Sequence, residues 1–462
     1  MVCAVGVKAA APLESTKFGQ LHITDLLLEH GFQDTAGLLD AFNPTSVLTT
    51  AREIITLWVS RMAMFNRYFL SDNNQAGAPP FKDVFIHAMI QDGEGRKMSK
   101  SLGNGVDPLD IITTHGADAM RFTLVEMTTQ TQDVRMPVEH DDKTGKNTSP
   151  KFDLGRNFCN KLWNAARFAM SKLDANDESG IDAINPESLS LPDRWMLARL
   201  HAGVAEIDQA LATYQFSSYA KTLYDVVRRD FCDWYLEAIK PTVASDANQR
   251  AVLRHTLDSL IRVLHPVAPF VTEAIAEGLA EIPAPPIEGL SLTAPRKGDT
   301  LCTAGWPVID DSLAHAESVA TFERVRELVE TIRAVRSQHK VDPKRKVTLH
   351  PTGAASELIA HTGELVHTLA GLAAGSTNEP EGESVPLLFE SAEHRLSNLA
   401  DAIDAEAAAE LRAKDLADLS KKRKALEGRL SNPGYVDKAP AHLVEQTREE
   451  LRKVIADLER LA

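Results

Sequence analysis

The sequence predicts a mixed fold: a partial α/β unit, then an all-α bundle, a small α/β module and an antiparallel helical hairpin. Three observations carry this. Between Asn43 and Asp110, strand-like and helix-like stretches alternate around a loop rich in glycine and lysine. From Phe152 to about Leu279 only long amphipathic periods recur, broken at Asp174–Pro192, at Pro241 and at His265-Pro266. Near the end, leucines settle into heptads on either side of a Ser431-Asn-Pro-Gly434 turn. The expected division is 1–42 without assignment, then 43–150, 151–310, 311–395 and 396–462.

In order along the chain, Leu21–Leu39 reads as a short helix interrupted by Gly31. Ser46–Thr49 reads as a short strand, Arg52–Phe69 as a helix, and Asp72–Pro80, rich in Asn, Gly and Pro, as a loop. Val84–Ile90 holds β-branched and aromatic residues and reads as a strand feeding the lysine loop that starts at Asp92 and ends at Pro108. Delivery of a ligand-binding loop from the carboxyl end of a strand is the usual placement in open α/β sheets. Asp110–Met127 is helical, and amphipathic helices are predicted over 152–172, 192–213, 216–238 and 248–265. A proline-containing connection at 280–312 leads to a helix at Glu317–His339, a strand at Lys346–His350 and a polar break at 375–386. Leu416, Leu419, Arg423, Leu426 and Leu430 repeat at 3-4-3-4, and Leu451, Val454, Leu458 and Leu461 at 3-4-3. Two short heptad helices joined by a turn predict an antiparallel arm.

The 462 residues leave room for two to four domains, and 44% hydrophobic with 25% charged residues is the balance of a globular protein. A net charge of −15 argues against a general nucleic-acid coat, though local basic stripes still can hold phosphates. Cys3, Cys159, Cys232 and Cys302 form no Cys-x-x-Cys pair, so zinc ribbons and disulfide frameworks are not expected and a reducing cytosol fits. No apolar run approaches the ~20 residues of a membrane span. The first residues do not read as a signal peptide, and a cytoplasmic location is expected. His22, His30 and His115 are isolated, so no protein-bound metal is expected.

The chemistry concentrates at Lys97-Met-Ser-Lys-Ser101. Lys97 and Lys100 sit on a short loop with glycines on both sides and the hydroxyls of Ser99 and Ser101 beside them. Such a loop can close over a polyphosphate, and two ammonium groups can offset charge on a leaving pyrophosphate. A bare Lys/Ser string is more often a solvated loop. Ser99 and Ser101 are read equally as donors to phosphate oxygens or as caps for the following helix.

The longer string, Asp92-Gly-Glu-Gly-Arg-Lys-Met-Ser-Lys-Ser-Leu-Gly-Asn104, resembles the second signature of class I aminoacyl-tRNA synthetases. Other strings resemble the valyl-tRNA synthetase family. They are Asn43-Pro-Thr-Ser-Val-Leu-Thr-Thr50, Glu53-Ile-Ile-Thr-Leu-Trp-Val-Ser-Arg-Met62, Pro80-Phe-Lys-Asp-Val-Phe-Ile-His87 and Gly155-Arg-Asn-Phe-Cys-Asn-Lys-Leu-Trp-Asn164. Asp230-Phe-Cys-Asp-Trp-Tyr-Leu-Glu237, His265-Pro-Val-Ala-Pro-Phe270, Arg333-Ala-Val-Arg336 with Lys344-Arg-Lys346, and Leu430-Ser-Asn-Pro-Gly-Tyr435 continue the likeness. The resemblance implies part of a Rossmann-like class I catalytic domain, a helical anticodon-binding domain and a carboxyl-terminal coiled-coil arm. It also implies activation of valine with ATP and Mg²⁺, followed by transfer to tRNA(Val).

The first class I signature, which grips ATP, and the inserted editing domain are absent from these residues. The chain is therefore expected to be a fragment, or one partner of a two-chain enzyme whose other chain carries both. A catalytically incomplete tRNA-binding module is the rival from another class. An isoleucyl or leucyl enzyme is a further alternative, against which the Glu53–Met62 string and the Tyr435 region weigh.

What the resemblance implies for single residues follows the same strings. Lys97 and Lys100 act on the pyrophosphate, and Lys97, Ser99, Lys100 and Ser101 help to bind ATP. Trp58, a core residue on generic grounds, stands against the amino-acid side chain. Glu53 holds a ribose hydroxyl, although the family commonly has glycine and aspartate where Ala51 and Glu53 stand. His87 lines the adenine pocket or is structural. Arg156, Asn157, Phe158 and Lys161 contact the tRNA at its anticodon end, the alternative being Phe158 as core and Arg156 as solvated charge. Residues 411–430 carry seven Lys/Arg against three Asp/Glu, so Lys421, Lys422, Arg423 and Lys424 are candidates for phosphate contact.

Overall fold

The computed structural model describes residues 17–18, 21–22, 42–70, 79–99, 101–129, 132–141, 145–173, 183–293, 300–373, 384–399, 405–431, 434 and 441–461. It is mixed: a small α/β part followed by a predominantly helical remainder. Lys17–Phe18 and Leu21–His22 pair antiparallel, so Leu21 and His22 are strand where a helix was expected over Leu21–Leu39, and the remainder of that segment lies outside the described residues.

Thr45–Ala51 and Phe81–His87 form a parallel pair in which Thr45 stands beside Phe81 and Ala51 beside His87. The second strand starts before the expected Val84 because Lys82 and Asp83 are drawn into the ladder by their partners, although neither favours a strand by itself. It stops at His87. The chain resumes at Ile90–Gln91, which pairs in parallel with Val134–Arg135. The helix expected over Arg52–Phe69 enters tightly and then widely, as a 3₁₀ turn at Arg52–Ile54 and a π turn at Ile55–Val59. It becomes regular only at Ser60–Leu70. No side chain caps its start at Ala51, and the β-branched Ile54-Ile55-Thr56 run disfavours a regular first turn.

Gly116, at φ 93°, divides the helix expected over Asp110–Met127 into Pro108–His115 and Ala117–Met127. Asp107 caps the first piece by accepting from the Leu109 amide at 2.9 Å. The second piece is the joint to the helical part. Gly155, on the Phe152–Met170 helix, lies so close to it that an added Cβ would sit 2.3 Å from the Ala119 carbonyl oxygen. Asp118 accepts from the Phe270 and Val271 amides at 3.3 and 2.7 Å, and Arg121 donates to the Pro266 and Val267 carbonyls at 2.8 and 3.3 Å.

The bundle comprises Phe152–Met170, Leu191–Ala212, Phe216–Ile239, Ala247–Leu264 and Pro269–Leu279. The third helix widens to π geometry over Asp225–Tyr235. Trp195, Tyr219, Phe231 and Tyr235 are fully buried in the shared core, and Trp195 stacks on Phe322 with ring centroids 4.1 Å apart. That stack brings the long Ala316–Gln338 helix onto Leu191–Ala212.

A three-stranded antiparallel sheet follows, with Ala392–Ser397 between Thr348–His350 and Ser384–Phe389. Of its strands only the first was expected. The hairpin turns at Glu390-Ser391, both at positive φ, without the Asn-Gly or Asp-Gly that marks such turns. Most of the expected break at 375–386 lies outside the described residues, and its last part, from Ser384, is strand. The helices Ala405–Leu430 and Ala441–Leu461 pack on one another, burying Leu426, Val444, Thr447 and Val454. Among the described residues, no helix is long and apolar enough to cross a membrane.

Candidate functional site

The lysine loop is held at its base by two buried polar residues, Asp92 and Asn104. Asp92 Oδ1 accepts from the Glu94 and Arg96 amides at 3.1 and 2.8 Å, and its Oδ2 from Arg96 Nε and Asn104 Nδ2, both at 2.8 Å. Asn104 Oδ1 accepts from the Ser99 amide at 2.9 Å, and its Nδ2 also reaches the Lys97 carbonyl at 3.3 Å. The Asn104 amide, with the Arg96 backbone and guanidinium behind it, holds the Asp92 carboxyl well below the usual carboxylate range. Downstream, Asn147 donates to the Gly103 and Gly105 carbonyls at 2.9 and 2.8 Å, and Lys146 pairs with Asp110 at 2.7 Å. Asn147 and Lys146 belong to the hairpin Glu139–Asp141/Lys146–Thr148. The glycines thus supply bend while Asp92, Asn104 and Asn147 fix where the loop begins and ends.

Opposite the loop lies the carboxyl end of the parallel strands. Arg52 donates to both oxygens of Asp133 at 2.9 and 2.6 Å, and Asp133 also accepts from the Met89 amide at 3.2 Å and from Gln91 at 2.9 Å. Arg52, foremost among these donors, pulls the Asp133 carboxyl below its ordinary range. The result joins the turn after the first strand to the segment after the second and places the next residue, Glu53, at the loop. Lys97 Nζ meets Glu53 Oε2 at 2.6 Å. Their side chains are 65% and 42% exposed, so the contact is a surface ion pair, worth about 0–1 kcal/mol.

Trp58 is exposed and donates to the buried Thr50 hydroxyl at 2.8 Å, which seats the indole against the end of the first strand. The His87 Nδ1 lies 3.0 Å from the Ala88 carbonyl, which places the proton on Nδ1 and leaves Nε2 an acceptor. Ser99 Oγ accepts from the Leu102 amide at 3.3 Å and lies 3.2 Å from Ser101 Oγ, so here Ser99 caps the turn inside the loop rather than the next helix. Lys100 lies outside the described residues.

The sheet is open around this site. Parallel strands are normally covered on both faces, yet Val84, Ile86, Leu57, Met64, Phe65 and Tyr68 are exposed on the strand and helix that flank it.

At the start of the helical part the candidates separate. Phe158 is 1% exposed and stacks on Phe122 and Tyr224, with centroids 4.3 and 5.6 Å away. Its ring cannot receive a base, so Phe158 is corrected to a core residue. Asn157 is exposed, Arg156 pairs with Asp153 at 2.6 Å, and Lys161 pairs with Asp233 at 2.9 Å. On the arm, Lys421, Lys422, Arg423 and Lys424 are all exposed, with Arg423 pairing to Glu427 at 3.3 Å. Lys97 meets Glu53, Trp58 is tied to Thr50 and His87 stands beside Ala51, so these residues gather at the carboxyl end of the parallel strands, while the basic residues of the arm are exposed.

Sequence reasoning missed Asp92, Asn104, Arg52, Asp133 and Asn147 as supporting residues. Asp and Asn at the ends of a glycine loop were a usable signal for Asp92 and Asn104. Asp133 and Asn147 act across 81 and 44 positions of chain, and no local pattern reports such contacts. No group of three or more His, Cys, Asp or Glu among the described residues is arranged to hold a metal ion.

Three family models match the chain. "tRNA synthetases class I (I, L, M and V)" matches residues 21–137, "Anticodon-binding domain of tRNA ligase" residues 193–350, and "Valyl tRNA synthetase tRNA binding arm" residues 404–462. The valine–tRNA ligase of Rhodopirellula baltica is 34% identical over 92% of this chain and 45% of its own length. That of Thermotoga maritima is 33% identical over 94% of this chain, and that of Carboxydothermus hydrogenoformans 34% over 91%, each again over 45% of its own length. The chain thus spans a little under half the length of these curated relatives. A match to a solved LeuRS–tRNA–LeuAMS ternary complex from Agrobacterium radiobacter covers 66% of this chain and 36% of the solved one at 20% identity, with a TM-score of 0.40.

Proposed function

The chain belongs to the valyl-tRNA synthetase family, and from that premise we propose that it serves the ATP-dependent activation of valine and its transfer to tRNA(Val). Its share of the work is the lysine loop, the strand ends that face it, the anticodon-binding helices and the basic arm. The observation that carries this reading is the clamped loop whose Lys97 reaches Glu53 at the carboxyl end of a parallel strand pair. In the reaction a valine carboxylate oxygen attacks the α-phosphorus of ATP, which enters with Mg²⁺, and pyrophosphate leaves. Lys97 and Lys100 then face the leaving phosphates, Glu53 the ribose hydroxyls, His87 the adenine and Trp58 the valine side chain. Binding of ATP exchanges the Lys97–Glu53 contact for contacts to substrate, at a cost of no more than about 1 kcal/mol for an exposed pair.

Two further parts of the proposal concern organisation. The segments 43–150, 151–310, 311–395 and 396–462 are taken as the catalytic part, the anticodon-binding bundle, a small module and the tRNA arm. The apolar surface left open around Ile86 and Phe65 is covered by the remainder of the catalytic domain, which carries the first signature and the editing module, in the same polypeptide or in a separate one. Without that remainder the chain is a tRNA-binding module of the cytosol, and the half-open sheet favours this second reading for the chain alone.

Titration of the purified chain with tRNA(Val), and with the same tRNA carrying another anticodon, tests the assignment. Tighter binding of tRNA(Val) is expected. Equal affinity for both would remove the anticodon-reading role from residues 151–310.

A further inference from the structure

We infer that Cys302 is an activated thiol, a modification site for low-molecular-weight disulfides, with His265 as its base. Cys302 is exposed on the short turn Leu301–Thr303, and Glu273 fixes that turn by accepting from the Leu301 amide at 2.9 Å. His265 is 8% exposed at the end of the Ala247–Leu264 helix, and its Nε2 lies 3.2 Å from Cys302 Sγ. The other ring nitrogen, Nδ1, lies 2.8 Å from Thr272 Oγ1.

The tautomer follows from the next hydrogen bond. Thr272 donates its hydroxyl hydrogen to a backbone carbonyl, Ala268 at 2.8 Å or Pro269 at 3.2 Å. Its oxygen is then left to accept, so the imidazole proton sits on Nδ1. Nε2 consequently presents a lone pair to the thiol. Burial lowers the pKa of this imidazole, which favours the neutral, basic form. A nucleophile, a base and a group that orients the base are thus in line, the arrangement by which weak nucleophiles are activated. The other two described cysteines lack it. Cys159 and Cys232 are pushed up to about 12 by burial, and neither is exposed.

The step balances without any further reagent. Nε2 takes the Sγ proton, the thiolate attacks one sulfur of the incoming disulfide, and the bond to the other sulfur breaks. Cys302 ends as a mixed disulfide, and the released thiolate takes the proton back from the imidazolium. The adduct would sit on the Leu301–Thr303 turn against His265, whose next residues, Pro266 and Val267, hold Arg121 by their carbonyls at the joint between the α/β part and the bundle.

The test uses the full 462-residue chain with oxidised glutathione, following each cysteine by mass spectrometry of its peptide. A free thiol is already a few per cent thiolate at neutral pH, so full activation gains about tenfold, and mixed-disulfide formation at Cys302 should be about that much faster in the native chain than in urea. At Cys159 and Cys232 the order should reverse, with reaction only after unfolding. Thr272→Val, which removes the acceptor for Nδ1–H, and His265→Gln should each lower the native rate at Cys302 severalfold, toward the unfolded rate. A native rate at or below the unfolded rate would overturn the inference in the unaltered chain, even if His265→Gln fails to fold. A folded Thr272→Val variant reacting at the unaltered rate would overturn it equally.

Discussion

Replacing Lys421 and Lys424 by glutamine should flatten the salt dependence of tRNA binding by an amount that the arm's geometry sets. Leu426 is 6% exposed and faces the partner helix, with Leu419 seven residues earlier on the same seam. At 3.6 residues per turn, Lys421 and Lys424 fall together on the opposite, outward side, while Lys422 lies on the flank. Arg423 is occupied by Glu427. Two outward cations, with no ion pair among the described residues, can therefore meet a phosphate ribbon. Each such contact contributes about 0.9 to the slope of log K against log salt on a duplex, so the double variant should lose about 1.8 of slope. Between about 50 and about 200 mM salt, the unaltered chain should lose about 12-fold more affinity than the variant. Fluorescence anisotropy with labelled tRNA(Val) across that range measures both slopes, and circular dichroism checks that the arm stays helical. Equal slopes for the two proteins, with the arm intact, would show that this face does not touch the tRNA.

In a valine–tRNA ligase that joins this sequence to the first class I signature, Lys100→Ala should lower the rate of valine activation by about 10²–10³, as loss of one preorganised charge does, with valine KM little changed. Near-normal activation would take the loop off the pyrophosphate. Phe158→Ala should cost about 3–5 kcal/mol in urea unfolding, while the milder Phe158→Leu should stay folded and bind tRNA with unaltered affinity; weaker binding by that folded variant would restore a base-stacking role. Burial pushes the Asp193 carboxyl up to about 6, above the 3.8 of a free side chain, against the pull of bonds from Ser190, Tyr235 and Gln249. A raised folded pKa gives stability that is present below the unfolded value and lost as pH rises through about 6. Urea melts should thus show Asp193→Asn gaining on the unaltered chain by about 2 kcal/mol from pH 4 to 6, and a constant difference would contradict the assignment.

What was legible in the sequence was whatever a local pattern could report. The amphipathic helices from Phe152 to Leu264 appear within about two residues of their expected ends, because burial of one face at a 3.6-residue period dictates both the helix and its register. The arm's seam was visible at Leu426 and Val454, but it extends back through Val444 and Thr447, where a threonine hides the heptad. The hairpin at Ser384–Ser397 was invisible because its turn residues, Glu390 and Ser391, carry no turn signal. At the candidate site the lysines announced themselves by type, spacing and flanking glycines. Their supports did not, since Arg52–Asp133 and Asn147–Gly103 are long-range contacts that exist only after folding. Phe158 shows the limit of reading composition: an aromatic beside basic residues suits a base-binding site, yet here the basic residues point outward and the ring inward.

Valine-dependent ATP–pyrophosphate exchange is the most direct measurement of the central claim, run on the chain alone and again after adding a polypeptide that carries the first class I signature. The chain alone should show no exchange above background, and the mixture should exchange with valine and not with isoleucine or leucine. Exchange by the chain alone would mean that it grips ATP by residues not identified here. No exchange in a mixture that forms a stable complex would mean that the clamped loop around Lys97 is not a working part of a valine-activating site.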